Sequence, residues 1–209
     1  MKFLIYLYFL FFSLSCFSST EDSFYAQNDV LNYWFGHLDS AQEYPQKQSK
    51  IWFDGGVQID QEIRERFEYL LIKAKNHELD HWNETPKGRL ALILIVDQFP
   101  RNIYRGTKEA FAFDALDQAL TLEGLDSGDD LQLFPIERAF FYLPLEHAED
   151  LILQELSLEK FNQLAAIAPS SLKSVFDSFA NYARQHYEVI ARFGHFPHRN
   201  TILDRPATE

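Results

Sequence analysis

The chain carries a single cysteine, Cys16, and it stands in the first stretch of the sequence. The rest therefore has no disulfide, no thiolate metal site and no cysteine nucleophile. Glycine and proline are scarce, at eight each in 209 residues. No G-x-G-x-x-G, no G-x-S-x-G and no phosphate-cradling glycine loop occurs, which removes the dinucleotide, α/β-hydrolase and P-loop templates. No alternating apolar run and no hairpin signal appears, so nothing favours a sheet. Positive charge is also short: 19 Lys and Arg against 31 Asp and Glu give a net charge of -12. An acidic chain repels phosphate backbones, so nucleic acid is excluded as a partner. No linker or low-complexity stretch divides residues 28–209, which read as one domain.

Long apolar runs are scarce as well, and the one at the start reads as a signal peptide or an N-terminal hydrophobic anchor. The first twenty residues, MKFLIYLYFLFFSLSCFSST, place Lys2 before an apolar run from Phe3 to Phe12, then small residues. That is the layout of a secretory signal, and the run is short for a membrane span. Ser13 and Ser15 suit cleavage before Cys16. Lipidation of Cys16 would want a Leu-like residue where Ser13 stands. The expectation is export, to the periplasm or held on the membrane through this segment alone. A start codon placed too far upstream would instead leave a cytoplasmic protein.

What is present is helical periodicity. Val30, Leu31, Trp34, Phe35 and Leu38 share one face, with Asn28 or Asp29 as N-cap. Ile63, Phe67, Leu70, Leu71 and Ala74 repeat the pattern. Thr85 caps a helix with Pro86 at its first position, where a missing N–H costs nothing. From Leu90 to Val96 that helix is apolar all round, which makes it central. Thr107 predicts another cap, with a stop at Gly124. A short helix over PIERAFFYL breaks at Pro144, LEHAEDLILQEL follows, and LEKFNQLAAIA is next. The last helix ends at Gly194. The class is all-α, about eight helices in antiparallel pairs.

Two segments, DQFPRNIYR and FGHFPHRN, repeat Phe-Pro-(x)-Arg-Asn. Pro100 and Pro197 read as helix stops, with Arg-Asn pairs answering freed carbonyls. Asp97 falls near the C-terminal end of the most buried helix, where the dipole disfavours an anion. It needs a cation, and Arg101, Arg105, Arg192 and Arg199 stand next to the same two helix ends. His186 lies in the apolar stripe of Leu172, Phe176, Phe179, Ala183, Ile190 and Phe193. In PLEHAED, Glu146, His147, Glu149 and Asp150 read as the charged start of a helix, or with His186 and His198 as an acid–base set. There is no H-E-x-x-H, and the one Glu-x-x-His, Glu78 to His81, lacks a second copy, so no metal is assigned. The sequence names no cofactor and no oligomeric state.

Four segments in order, DVLNYWFG, LALILIVDQFPRNIYRGTKEAFAFD, FFYLPLEHAEDLILQ and HYEVIARFGHFPHRNTILDR, resemble the bacterial domain-of-unknown-function family 924 from Asp29 to Thr208. The resemblance implies a compact superhelical array of tetratricopeptide-like helices, and no activity carries over from it. Its signature positions fall on Asp97, Arg101, Asn102, Arg105, Glu146, His147, Glu149, Asp150, His186, Arg192, His198, Arg199, Asn200 and Arg205. Two positions depart from it: His195 stands where the family shows arginine, and Asp204 where it shows glycine. The leader also departs from a family read as cytosolic.

Two readings follow. One is a binding or scaffold domain whose motifs form a buried Arg–carboxylate–His network, and the arginines suit a small anionic ligand. The other is a hydrolase acting on a small anionic substrate, with His147, His186 or His198 as general base. In either, the two Phe-Pro turns are expected to meet, with Asp97, His147 and His186 between or beside them.

Overall fold

The helices form where caps and apolar stripes coincide. The computed structural model describes residues 23–53 and 55–208, and among these there is no strand. The leader lies outside the described residues, and no helix among them is long and apolar enough to cross a membrane. Helix α1 (residues 23–35) buries Val30, Tyr33, Trp34 and Phe35. Asn28 and Asp29 do not cap it, because the helix already runs from residue 23; Asp29 pairs instead with Arg66 at 2.8 Å. Helix α2 (Ser49–Phe53) delivers Trp52, whose indole donates to the Trp34 carbonyl at 2.8 Å and packs 4.5 Å from the Phe140 ring. Helix α3 (Val57–Lys75) buries the Ile63, Phe67, Leu70, Leu71 and Ala74 stripe that its spacing predicts.

The central helix starts as expected and ends otherwise. Thr85 Oγ1 accepts from the Gly88 N–H at 3.1 Å, and Pro86 opens α4 (Pro86–Ile93). The helix does not stop at Pro100. From Leu94 to Gln98 it widens into one π turn, then resumes as α5 (Phe99–Ile103). Proline brings no N–H, and its ring crowds the carbonyl four residues back in a regular helix. A wider turn relieves that crowding, and it carries Asp97 inside the helix rather than at its end. Gly88 is required for a second reason: a Cβ there would lie 2.3 Å from the Trp82 carbonyl oxygen. Gly88→Ala is expected to cost about 2–3 kcal/mol, since a backbone oxygen cannot swing aside. Chemical denaturation measures it, and a loss under about 0.5 kcal/mol would show that the turn yields.

Helix α6 (Asp114–Ser127) runs through Gly124 and stops at Gly128, which holds φ 74°. Gly124 is a contact and not a cap, because a Cβ would meet Phe141 at 2.4 Å and Arg89 at 2.6 Å. Thr107 stands at the N-cap of a 3-10 turn (Lys108–Phe111) rather than of a long helix, and its hydroxyl donates to the Tyr104 carbonyl instead of capping. Helix α7 (Pro135–His147) passes Pro144 unbroken, its flanks held by buried Phe140, Phe141, Tyr142 and Leu145. PLEHAED is thus the end of α7 and the entry to α8 (Leu151–Ala166), not a helix start. LEKFNQLAA is the second half of α8 rather than a helix of its own. Helix α9 (Lys173–Phe193) ends at Gly194 with φ 71°, as read. The run α4–π–α5 lies in the middle against α3, α6 and α7, while α8 and α9 pack on each other and on α7.

Candidate functional site

The π turn buries Asp97 completely and lets three side chains reach it. His147 Nδ1 lies 2.7 Å from Oδ1, Arg101 donates to the same oxygen from Nε and Nη2 at 3.2 and 2.8 Å, and Gln98 donates to Oδ2 at 2.6 Å. Burial alone would raise its carboxyl, but the His147 imidazole and the Arg101 guanidinium hold it well below the usual carboxylate range. Asp117 of α6 faces it, also fully buried. Burial and the charges of Asp97 and Asp114 push Asp117 well above that range. Asp117 therefore keeps a proton, and that proton is what lets two carboxyls lie together. His147 is pushed down to about 4 by burial, against the pull of Asp97. It is a neutral imidazole that donates Nδ1–H to Asp97.

Asp114 joins the two Phe-Pro segments. Its Oδ1 accepts from Arg101 Nη2 and its Oδ2 from Arg199 Nη1, each at 3.1 Å. Both guanidiniums lie over the Phe111 ring, at 5.5 and 4.6 Å, and Arg199 also lies 4.6 Å from the Phe196 ring. Arg199 Nη2 donates to the His147 carbonyl at 3.0 Å, so it does answer a helix-end carbonyl, though one belonging to α7. Pro197 stops no helix, because Gly194 has already ended α9; it opens a 3-10 turn (Pro197–Arg199). Arg199→Lys keeps the charge and loses the fork between Asp114 and His147. It is expected to lower stability by about 1–3 kcal/mol in urea denaturation, and an unchanged midpoint would show that charge alone suffices.

Beyond this centre lies Glu146, 4% exposed, with Oε1 3.3 Å from His186 Nδ1 and Oε2 buried without a partner. Burial, with the Asp97 charge, raises Glu146 to about 8. His186 donates Nδ1–H to the Tyr182 carbonyl at 2.9 Å and sits edge-on to Phe196 at 5.4 Å. Burial lowers it from its ordinary value. Its side chain is 30% exposed, so the stripe of α9 is apolar only as far as Ala183 and resumes at Ile190. Here the stripe faces Glu146 and Phe196 rather than core.

The other candidates divide. Glu149 takes both arms of Arg205, at 2.7 and 2.9 Å, and the Phe196 N–H at 2.8 Å, which ties the C-terminal turn to the α7–α8 link. Asp150 caps α8 through the Ile152 and Leu153 N–H groups and serves no site. Arg105 and Asn102 both reach Asp60 on α3, away from Asp97. Asn200 donates to Thr208 Oγ1, which His195 also meets, so neither asparagine answers a carbonyl. Arg192 is exposed, its guanidinium 4.7 Å from the Phe193 ring, and stands outside the cluster. His198 is exposed beside Phe196. Asp204, where the resemblance shows glycine, holds φ 53°, a conformation that favours glycine. Asp114, Asp117 and Phe111 are the residues the sequence reading missed. Asp114, Asp117, Thr121 and Gly124 advance by threes and fours, a polar and small stripe that marked the inner face of α6. Among the described residues, no group of three or more His, Cys, Asp or Glu is placed to hold a metal ion.

Comparison with known proteins agrees on the fold and is silent on chemistry. A solved protein of unknown function from Agrobacterium tumefaciens, ATU0120, is 34% identical, with a TM-score of 0.72 over 87% of this chain and 92% of that one. Comparison with curated proteins gives no match. The family described as "Bacterial protein of unknown function (DUF924)" has a model that matches residues 30–209, and the chain belongs to that family.

Proposed function

We propose that the protein is a helical binding domain whose polar cluster ends in a ligand-recognition point at the joint of α7, α9 and the C-terminal turn. One observation carries this reading: the cluster holds buried polar atoms without a partner, among them Glu146 Oε2, Arg101 Nη1, Arg199 Nε and Arg205 Nε. A network serving structure alone tends to leave its buried polar atoms paired. A site that awaits a ligand leaves one side open.

The test is a thermal-shift titration of the purified chain against small amines, carboxylates and phosphates. Binding raises Tm with ligand concentration, and the expected result is such a rise from one class only. His198→Ala, on the exposed turn, is expected to change stability by less than about 0.5 kcal/mol. No shift from any class at millimolar concentration would refute the binding reading.

A second reading, a hydrolase acting on a small anionic substrate, draws on the Asp97–His147 pair. A buried carboxylate on Nδ1 leaves Nε2 as an oriented lone pair, the arrangement of a general base. That reading also needs a cation to hold the substrate, and Arg101, Arg199 and Arg205 are already engaged by Asp97, Asp114 and Glu149. The binding reading is preferred on that ground.

A further inference from the structure

We infer that a second binding site, for a free α-amino acid with an apolar side chain, occupies the cavity between the start of α1, the end of α3 and the 3-10 turn that follows (Asp80–Glu84). This site is separate from the polar cluster and stands independently of the binding reading above.

The way α3 stops sets the charges in place. Asn76 ends the helix, and His77 holds φ 62°, the left-handed conformation that usually falls to glycine at this position. The His77 N–H then donates to the Ala74 carbonyl and the Glu78 N–H to the Lys73 carbonyl, each at 3.0 Å. In a helix stop of this kind the outer pair commonly makes an apolar contact. Here the outer pair is Lys73 and Glu78, of opposite charge, and both line a cavity of about 430 Å³. Among the described residues neither forms an ion pair. The Lys73 ammonium lies 5.8 Å from the Tyr69 ring, one turn back along α3, and Glu78 takes only the Asn76 amide, on Oε1 at 3.1 Å.

Charge is the first argument. A small anion would meet Lys73 but also the Glu78 carboxylate, and a small cation would meet the reverse. An α-amino acid carries both charges on one carbon, so its carboxylate can face Lys73 while its ammonium faces Glu78. Both side chains have capacity left for this. Among the described residues the Lys73 ammonium donates to none, and Glu78 Oε2 accepts from none.

Surface is the second argument, and it does not depend on charge. Leu70, Leu79 and Trp82 are buried, and they border the cavity together with the Tyr69 ring, which is 51% exposed. An apolar side chain laid there removes that ring from water. The cavity is also held in shape before anything binds. The Trp82 indole donates to Ser23 Oγ at 2.7 Å, and Ser23 Oγ lies 2.7 Å from His81 Nε2, which ties the start of α1 to the 3-10 turn. All three of these side chains line the cavity, so a ligand has little left to order there. Its volume falls in the range of small-molecule sites, about 300–1,000 Å³.

The experiment is isothermal titration of the full chain with L-phenylalanine, with 3-phenylpropionate and phenethylamine, which each lack one of its charges, and with glycine, which lacks its side chain. Phenylalanine is expected to bind about fivefold or more tighter than each of the other three. Lys73→Gln is expected to weaken phenylalanine and leave phenethylamine unchanged. Glu78→Gln is expected to weaken phenylalanine and leave 3-phenylpropionate unchanged. Both side chains are exposed, and thermal unfolding of each variant shows that it is folded. An analogue that binds as tightly as phenylalanine would overturn the ligand class. Phenylalanine binding that ignores both substitutions would place the ligand elsewhere and overturn the inference, as would no binding of phenylalanine at millimolar concentration.

Discussion

Asp97→Ala is expected to lose about 3–5 kcal/mol of stability at pH 7, the usual penalty for breaking a buried ion pair from one side. The carboxylate is wholly buried and organises His147, Arg101, Gln98 and Asp117. Without it the Arg101 guanidinium keeps only Asp114, and the His147 Nδ1–H loses its acceptor. Asp117→Asn is the control. Asp117 is already neutral and donates to Asp97, and an asparagine amide can donate in its place. That change is expected within about 1 kcal/mol of wild type. Urea denaturation of both variants reads the contrast directly. Equal losses would mean that Asp117 carries charge in the folded protein and that the pair is not one acid beside one carboxylate.

Glu146→Gln is expected to make the protein more stable at alkaline pH. The folded carboxyl stands at about 8, raised from 4.5, so unfolding releases its proton throughout the interval between. The contribution of a raised group is full below its unfolded value and is lost as pH climbs to its folded value. For Glu146 that loss comes to about 5 kcal/mol by pH 8, and Asp117 slopes the same way. His147 slopes oppositely, since its pKa falls from 6.5 to about 4 and its contribution is lost as pH drops through that range. The two opposing slopes overlap up to pH 6.5. The decline from Glu146 therefore shows most cleanly between 6.5 and 8. Replacing the carboxyl by an amide removes that decline, and denaturation midpoints at pH 5, 6.5 and 8 would reveal it. A variant that loses stability with pH as steeply as wild type would show that Glu146 is ionised in the fold at neutral pH.

The buried stripes of α3 and α9, the Thr85 cap and the Gly194 stop were legible because each depends on neighbours a few residues away. Three of the errors share one physical source. Pro100, Pro144 and Gly124 carry strong local preferences, and tertiary contacts override all three. Pro144 is held inside α7 by the aromatic core, and Gly124 is needed for the approach of Phe141 and Arg89. In the site, Asp97, His147, Arg101 and Arg199 could be named because a polar group in an apolar stripe requires a partner. Which partner it finds is a question of helix placement, and Asp114, the bridge between the two motifs, was invisible for that reason. Asp117 was hidden further, because a protonated carboxyl needs no cation and leaves no matching arginine to point to it.

The π turn at Leu94–Gln98 puts the cluster on a margin of one residue. Successive side chains of a regular helix are about 100° apart around the axis. Rewinding that turn as ordinary helix with no residue removed would swing everything downstream by about that angle relative to Leu90 and Ile93, and losing one residue as well would bring it back. With the rewinding alone, Arg101 would leave Asp114, while Phe99 and Ile103 would leave the core. The aim of the cluster therefore depends on that one extra residue staying in a wide turn. A relative one residue shorter at this place is expected to show an ordinary α turn there with the cluster still aimed, and a relative of equal length to keep the wide turn.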